Sequence, residues 1–520
     1  MSEQPSPARF LDDLLADAAQ SAGQRVAVRY GDQALTFADL NALATRWADI
    51  LRTVIRPGAV VGVTNVLTPE FAAAYYAVSR AHGVVAIINP LLPAEGLAHV
   101  VGVSRAEVVI GTPEVCARVE SVRDRLPDLR ALALLAREPD QTLPTLDELA
   151  TSLDDASRAR ADNAAGEERR DLDSVVCIQF TSGTTGPPKG VLLTHRNLTV
   201  NAAQVAQAHE LGPDSITLNH LPTYHPMHMN SAVYAGATQV LCPQEDAVDA
   251  IALANATGAT HFYSLPVRLG RLARDPRLPS LRLSTVIAIL SGGSALPPNT
   301  GPVLEEQFGI PVIQGYGLAE MSPLTHSDGP HDYRRGSVGR ALEGTECRIV
   351  DLTDGTVLPE GDRGEVQVRG PQRMLGYAGA PPLPADAWLE TGDVGYLEDG
   401  RLFLVDRIRD VFKCDNWLVA PSEIEMVLSR HPAVADCVVV DLPDDLRGAV
   451  AAALVVLRPD SSSVSPDEIA AWTNAQLPYY QHLHRVAVVA AIPRSANGKV
   501  QRRDLRALIR APDAVENPVP

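Results

Sequence analysis

The chain has 520 residues, too many for one compact core, so two or more domains are expected. It is 46% hydrophobic and 21% charged, an ordinary globular balance, and no run of 18 or more apolar residues reads as a membrane span. The net charge of -18 excludes a general nucleic-acid binder, which needs a basic surface to displace counterions, and leaves any anionic substrate to a few local cations.

In chain order, residues 1–15 lack a basic region followed by an apolar stretch, so no secretory signal is expected and the setting is read as cytoplasmic. Residues 40–51 and 197–207 have helical spacing, whereas Val84–Ile88 and Val108–Gly111 read as buried strands. Residues 153–170, rich in Ala, Asp, Glu and Arg without an apolar face, read as a solvated connector. This is the rhythm of an α/β protein with helices covering mostly parallel sheets. After about Arg409 the pattern changes. A helix is expected from Pro421 with Ser422 as its cap, then strands over 434–441 and 450–458. A capping box follows at Ser465-Pro466-Asp467-Glu468, then a last segment over 484–491 and a basic helix over 503–510. Together these make a small α+β unit.

Six cysteines stand singly, with no CxxC, so neither a zinc site nor a disulfide framework is indicated. Of the 45 basic residues only three are lysines: Lys189, Lys413 and Lys499. Each lies in a motif, where a compact ammonium does what a planar guanidinium cannot at a crowded phosphate.

The strongest local signal is Thr181-Ser182-Gly183-Thr184-Thr185-Gly186-Pro187-Pro188-Lys189-Gly190, directly after the apolar run Val175–Phe180. Its glycines let backbone amides approach an anion, its hydroxyls donate to phosphate oxygens, and Lys189 adds charge. A Walker A loop needs Gly-Lys-Ser/Thr; here Lys189 stands between proline and glycine.

On this loop, and on five motifs that follow in order, the chain resembles the adenylate-forming superfamily of acyl-CoA synthetases, nonribosomal peptide adenylation domains and luciferases. Leu221-Pro222-Thr223-Tyr224-His225 resembles its histidine motif, and Ser291-Gly292-Gly293-Ser294-Ala295 its adenine-pocket turn. Gln314-Gly315-Tyr316-Gly317-Leu318-Ala319-Glu320 resembles the next motif, and Trp388-Leu389-Glu390-Thr391-Gly392-Asp393 the ribose motif. Pro493-Arg494-Ser495-Ala496-Asn497-Gly498-Lys499 resembles the last, and the likeness covers essentially the whole chain.

The resemblance implies a large N-terminal domain, 1–408, of αβαβα-type layers with a small β-barrel-like subdomain. It also implies a small mobile α+β domain, 409–520, turning about Arg409. The substrates and cofactors implied are ATP (leaving AMP), magnesium and coenzyme A. Thr181 to Gly186 and Lys189 would hold phosphates, and Gln314, Gly315 and Tyr316 the adenine. Glu320 would hold the metal, and Asp393 and Arg407 the ribose. His225, Met227, Gly292, Gly293 and Gly315 would line the acyl pocket. Lys499 would stabilise the adenylating transition state, and Lys413, Asp415 and Asn416 would meet coenzyme A.

Two departures stand out. The family usually has threonine where this chain has Ala319, whose lost hydroxyl removes a hydrogen bond to the α-phosphate worth roughly 1.5–3 kcal/mol. Asp415-Asn416 replaces a Gly-Gly or Lys-Gly pair; Asn416 is expected to take the left-handed conformation and Lys413 to offset the Asp415 charge. The implied activity is therefore a full acyl-CoA ligase. Open alternatives are an enzyme that thioesterifies an acyl-AMP supplied by a partner adenylating enzyme, one that loads a carrier protein, and a non-catalytic nucleotide binder. No carboxylate stands in Met229-Asn230-Ser231-Ala232-Val233 to hold an amino group, so a non-amino acid is expected, and an aromatic content of only 5% leaves room for an apolar, bulky one.

Overall fold

The structure is a computed structural model that describes residues 9–137, 141–152, 170–181, 187–297, 299–415, 417–461, 463–493 and 502–510. The expected connector at 153–169, most of the phosphate loop, Asn416 and the Lys499 loop lie outside these residues. The chain divides into two compact units: Met1–Glu346 with Arg369–Ala387, and Cys347–Val368 with Trp388–Pro520.

The first unit holds two seven-stranded sheets. In one, Val312–Gln314, Ala288–Ser291, His261–Ser264, Ile216–His220, Thr238–Leu241 and Val26–Tyr30 run parallel in that order, and Gln33–Thr36 closes the edge antiparallel. In the other, Val175–Phe180, Val84–Ile88, Val60–Thr64, Val108–Gly111 and Ala131–Leu134 are parallel, with Gly190–Thr194 and Gly376–Tyr377 added antiparallel. Both expected strands take the expected bounds, because an unbroken β-branched run suits a strand buried on both faces. The spacing at 40–51 becomes the helix Phe37–Arg52, with a Thr36/Asp39 capping box, and that at 197–207 becomes His195–Ala208.

In the second unit, Leu389–Glu398 pairs antiparallel with Gly364–Arg369 on one side and Arg401–Arg407 on the other. The turn between the latter pair puts Asp399 and Gly400 at φ 50° and 70°, the left-handed pair that a two-residue hairpin needs. The C-terminal part is a five-stranded sheet in which Gly448–Leu457 pairs with Val434–Asp444 and with Leu483–Val488. Successive side chains of the run Val438-Val439-Val440 serve opposite cores. Val439 packs with Ile424, Leu428 and Ile469, while Val438 and Val440 pack with Leu505 and Ile509. The capping box at Ser465 and Glu468 forms as expected. Ser422 does not cap: Ala420 holds that place and Pro421 is the first helical residue. Ser422 instead donates its backbone N–H to Asp406 (3.0 Å) and its hydroxyl to the Val405 carbonyl.

Candidate functional site

In the first unit the phosphate loop is a hairpin loop. Phe180 pairs with Gly190, and the loop base is closed twice: Thr181 N donates to Lys189 O, and Lys189 N to Thr181 Oγ1, both at 3.1 Å. His99 braces it through the Pro188 carbonyl, 2.8 Å from its Nε2. Ser182, Gly183, Thr184, Thr185 and Gly186 lie outside the described residues. The Lys189 ammonium sits 4.9 Å from the centre of the Tyr377 ring, and the Tyr377 hydroxyl donates to Glu320 Oε1 at 2.8 Å. Burial, then the Glu320 charge, pushes the phenol's pKa up, so it stays protonated and a donor. Lys189, Tyr377 and Glu320 thus form a row of cation, aromatic ring and carboxylate.

Tyr377 carries no recognisable motif in the sequence. It reaches the row because Gly376–Tyr377 pairs with Gly190–Thr194, the strand that leaves the loop. Glu320 rides on the short turn Ala319–Met321, held by Met374 N donating to the Glu320 carbonyl at 2.8 Å. This single part-exposed carboxylate suits magnesium, which takes one or two carboxylates and fills its shell with phosphate oxygens and water. Ala319 opens the same turn, so the absent hydroxyl falls directly beside Glu320.

The remaining first-unit residues line the carboxyl ends of the first sheet's strands, where open α/β sheets bind ligands. Gly315 N donates to the Ser291 carbonyl at 2.8 Å, and Gln314 Oε1 accepts from Leu296 N at 3.0 Å, tying the two small-residue motifs together. Gly293 has φ 86° with open space at its missing side chain, and Gly317 has no room for one, since a Cβ would stand 2.1 Å from the Pro323 carbonyl oxygen. Tyr316 is buried, its ring 6.0 Å from that of His326. His225 caps the helix Pro226–Ala235: its Nδ1 accepts from Met227 N at 3.2 Å, and its Nε2 lies 3.3 Å from the Gln179 carboxamide. Burial lowers its pKa to about 4, so it is neutral at pH 7.

In the second unit Asp393 and Arg407 are register partners, and Arg407 Nε stands 3.2 Å from Asp393 Oδ1. Arg409 is exposed in a turn where Asp410 N and Val411 N both donate to the Arg407 carbonyl. Lys413 is exposed on Phe412–Cys414. One expectation changes here: the cation facing the Asp415 carboxylate is Arg447, 4.0 Å away, rather than Lys413, and Asp415 itself is left-handed, at φ 50°. Arg447 also lies 3.4 Å from His484, and the exposed Trp417 stacks on Tyr480 at 5.1 Å. Neither Asn416 nor Lys499 is among the described residues. Three residues after Lys499, Arg502 meets Glu425 at 2.8 Å, Asp410 at 3.4 Å and Asp406 at 3.5 Å.

Comparison with known proteins agrees with this construction. The AMP-binding enzyme family matches residues 15–378, and the AMP-binding enzyme C-terminal domain matches residues 423–499. A protein named 4-coumarate--CoA ligase 5, from Oryza sativa subsp. japonica, is 32% identical over 502 residues, 92% of this chain and 90% of its own. ATP-bound MatB from Rhodopseudomonas palustris aligns over 96% of this chain and 99% of its own with TM-score 0.83 and 25% identity. The anthranilate CoA ligase AuaEII, in complex with anthranoyl-AMP, shares the fold over 98% of both chains, with TM-score 0.84 at 23% identity. With both its domains matched and a relative aligned over nearly its full length, the chain belongs to the AMP-binding enzyme family, the adenylate-forming acid–thiol ligases.

Proposed function

We propose that the protein activates a flat, largely apolar carboxylic acid as its acyl-AMP and passes the acyl group to coenzyme A. The row of Lys189, Tyr377 and Glu320 beside the phosphate loop carries this reading. The acid class follows the coumarate ligase relative and the absence of a carboxylate at Met229 to Val233. In the first step a carboxylate oxygen attacks the α-phosphorus and pyrophosphate leaves. The loop amides and hydroxyls with Lys189 hold the leaving group, and Glu320, oriented by Tyr377, supplies the carboxylate for magnesium, which neutralises phosphate charge when bound. Tyr316 takes the adenine, with Asp393 and Arg407 for the ribose. Neutral His225 walls the carboxylate without adding charge, and Lys499 meets the charge that develops on the α-phosphate. In the second step the small domain turns about Arg409, and the thiol of coenzyme A attacks the acyl carbon, expelling AMP. Lys413 and Arg447 serve the coenzyme's phosphates beside Asp415 and Asn416.

A second reading rests on Ala319. Without its hydroxyl the first step is weaker, and the protein would thioesterify an acyl-AMP supplied to it. Acid-dependent exchange of pyrophosphate into ATP, run beside thioester formation from preformed acyl-AMP and coenzyme A, separates the two. Exchange with a panel of aromatic acids supports the full ligase; thioester formation without exchange supports the half-reaction.

A further inference from the structure

The helix His195–Ala208 starts directly from Gly190–Thr194, the strand that leaves the phosphate loop, and a Thr194/Asn197 capping box locks the join. From that cap onward the helix carries carboxamides at Asn197, Asn201 and Gln204, the spacing of one helix face. All three are buried, where an amide is costly unless it is bonded. Each donates away from its own helix, to a backbone carbonyl. Asn197 Nδ2 donates to Pro371 at 2.9 Å, Asn201 Nδ2 to Leu324 at 2.9 Å, and Gln204 Nε2 to Glu343 at 2.6 Å. A fourth carboxamide, the fully buried Gln372, closes the set: its Nε2 donates to Thr345 Oγ1 at 2.6 Å, and its Oε1 accepts from Gln204 Nε2 at 3.4 Å.

These bonds grip the backbone on both sides of the Glu320–Tyr377 pair. The turn Ala319–Met321 ends at Ser322, left-handed at φ 72°, whose hydroxyl donates to the Gln372 carbonyl at 2.8 Å. Leu324 follows two residues on. Pro371 and Gln372 lead into Met374, whose N–H holds the Glu320 carbonyl, and then into Gly376–Tyr377. Every one of these residues belongs to the first unit. An apolar helix face would tolerate a small slide, because hydrophobic contact has no direction; a buried hydrogen bond does not. We infer that Asn197, Asn201, Gln204 and Gln372 are positioning residues, a carboxamide ladder that sets the Glu320 carboxylate at its working distance from the phosphate loop and Lys189. The ladder acts through Glu320 on the metal-bound triphosphate, and this rests on the acyl-AMP reading for the reaction it serves. Misplacing a reacting group by about 1 Å costs about a hundredfold in rate, so such a support is worth its buried amides.

The test replaces Gln204 by methionine, of similar length without the amide, and Ser322 by glycine, which accepts the left-handed backbone and loses only the hydroxyl that reaches Gln372. Wild type, Gln204→Met and Ser322→Gly are compared in three measurements: binding of Mn2+ in the presence of ATP by electron paramagnetic resonance, acid-dependent pyrophosphate exchange, and thioester formation from preformed acyl-AMP and coenzyme A. Both variants are expected to bind Mn2+ with ATP at least about threefold more weakly and to exchange about tenfold more slowly, with thioester formation within about twofold of wild type. Unchanged Mn2+ binding in the variants overturns the inference. So does a loss of exchange matched by an equal loss of thioester formation, the mark of a less stable fold alone. If Gln204→Met does not fold, Ser322→Gly decides. A wild type that binds Mn2+ with ATP but neither exchanges nor forms thioester ends the ligase reading, and the Mn2+ comparison still decides the ladder; a wild type that binds no Mn2+ with ATP overturns both.

Discussion

Arg502 offers the sharpest quantitative test of the second unit. Its side chain is 13% exposed and donates to the Val439 carbonyl at 3.1 Å and to Glu425 at 2.8 Å, with Asp406 and Asp410 within 3.5 Å. Burial opposes the guanidinium charge, and the Glu425, Asp406 and Asp410 carboxylates outweigh it, raising the Arg502 pKa; burial also pushes Glu425 up against the pull of Arg502. Arg502→Met would leave three neighbouring carboxylates without their cation. Breaking a buried pair from one side costs about 3–5 kcal/mol. For a unit of roughly 150 residues that corresponds to a fall of roughly 6–20 °C in Tm. Calorimetry of the full chain at pH 7 reads this. The deficit carries a pH signature. In the variant Glu425, already pushed up by burial, loses the opposing pull of Arg502, so the folded state is favoured while it is protonated and that advantage is lost as pH rises. The gap from wild type should therefore shrink as pH falls from 7 toward 5. A Tm change under 2 °C, or a gap that widens at lower pH, would refute the argument.

Three further outcomes follow from the geometry. Tyr377→Phe removes one hydrogen bond to the Glu320 carboxylate and should lower the rate of pyrophosphate exchange about ten- to a hundredfold, with partial recovery at high magnesium; an unchanged rate would remove Tyr377 from the site. Burial holds His195 and His220 near pKa 4 and His209 and His326 near 3. Between about pH 6.5 and 4 the unfolded chain takes up protons that the folded chain refuses, so stability falls as pH falls, by about 1.4 kcal/mol per pH unit for each histidine. Urea midpoints at pH 7 and pH 5 check this, and a flat profile contradicts it. Asp415→Gly relieves a left-handed aspartate and should stabilise the second unit by about 1 kcal/mol in urea titration; destabilisation would mean that the Arg447 contact outweighs the strain.

Most of the layered fold is legible in the sequence because its signals are local. The run Val84–Ile88 needs no partner to read as a buried strand, and the Ser465/Glu468 box names its own helix start. The motif residues are legible by their order along the chain. What escapes is whatever depends on tertiary pairing. Tyr377 is 57 residues from Glu320 and meets it only because a two-residue strand docks on the strand leaving the phosphate loop. Arg447 reaches Asp415 from the hairpin between two other strands, and Arg502 gathers carboxylates from three segments. Ser422 has the chemistry of a helix cap, but Pro421 takes the first helical position and the serine turns to Val405 and Asp406 instead. Asn219 carries no signal at all in sequence: an asparagine in the strand Ile216–His220 becomes informative only when its amide is seen to lack a partner.

In the proposed cycle one chain both makes and consumes acyl-AMP, with Lys499 serving only the first step. The direct measurement compares wild type and Lys499→Ala in two assays: acid-dependent pyrophosphate exchange into ATP, and thioester formation from preformed acyl-AMP and coenzyme A. The wild type is expected to perform both, while the variant loses exchange and largely keeps thioester formation. Equal loss of the two activities in the variant, or a wild type that performs neither, would contradict it.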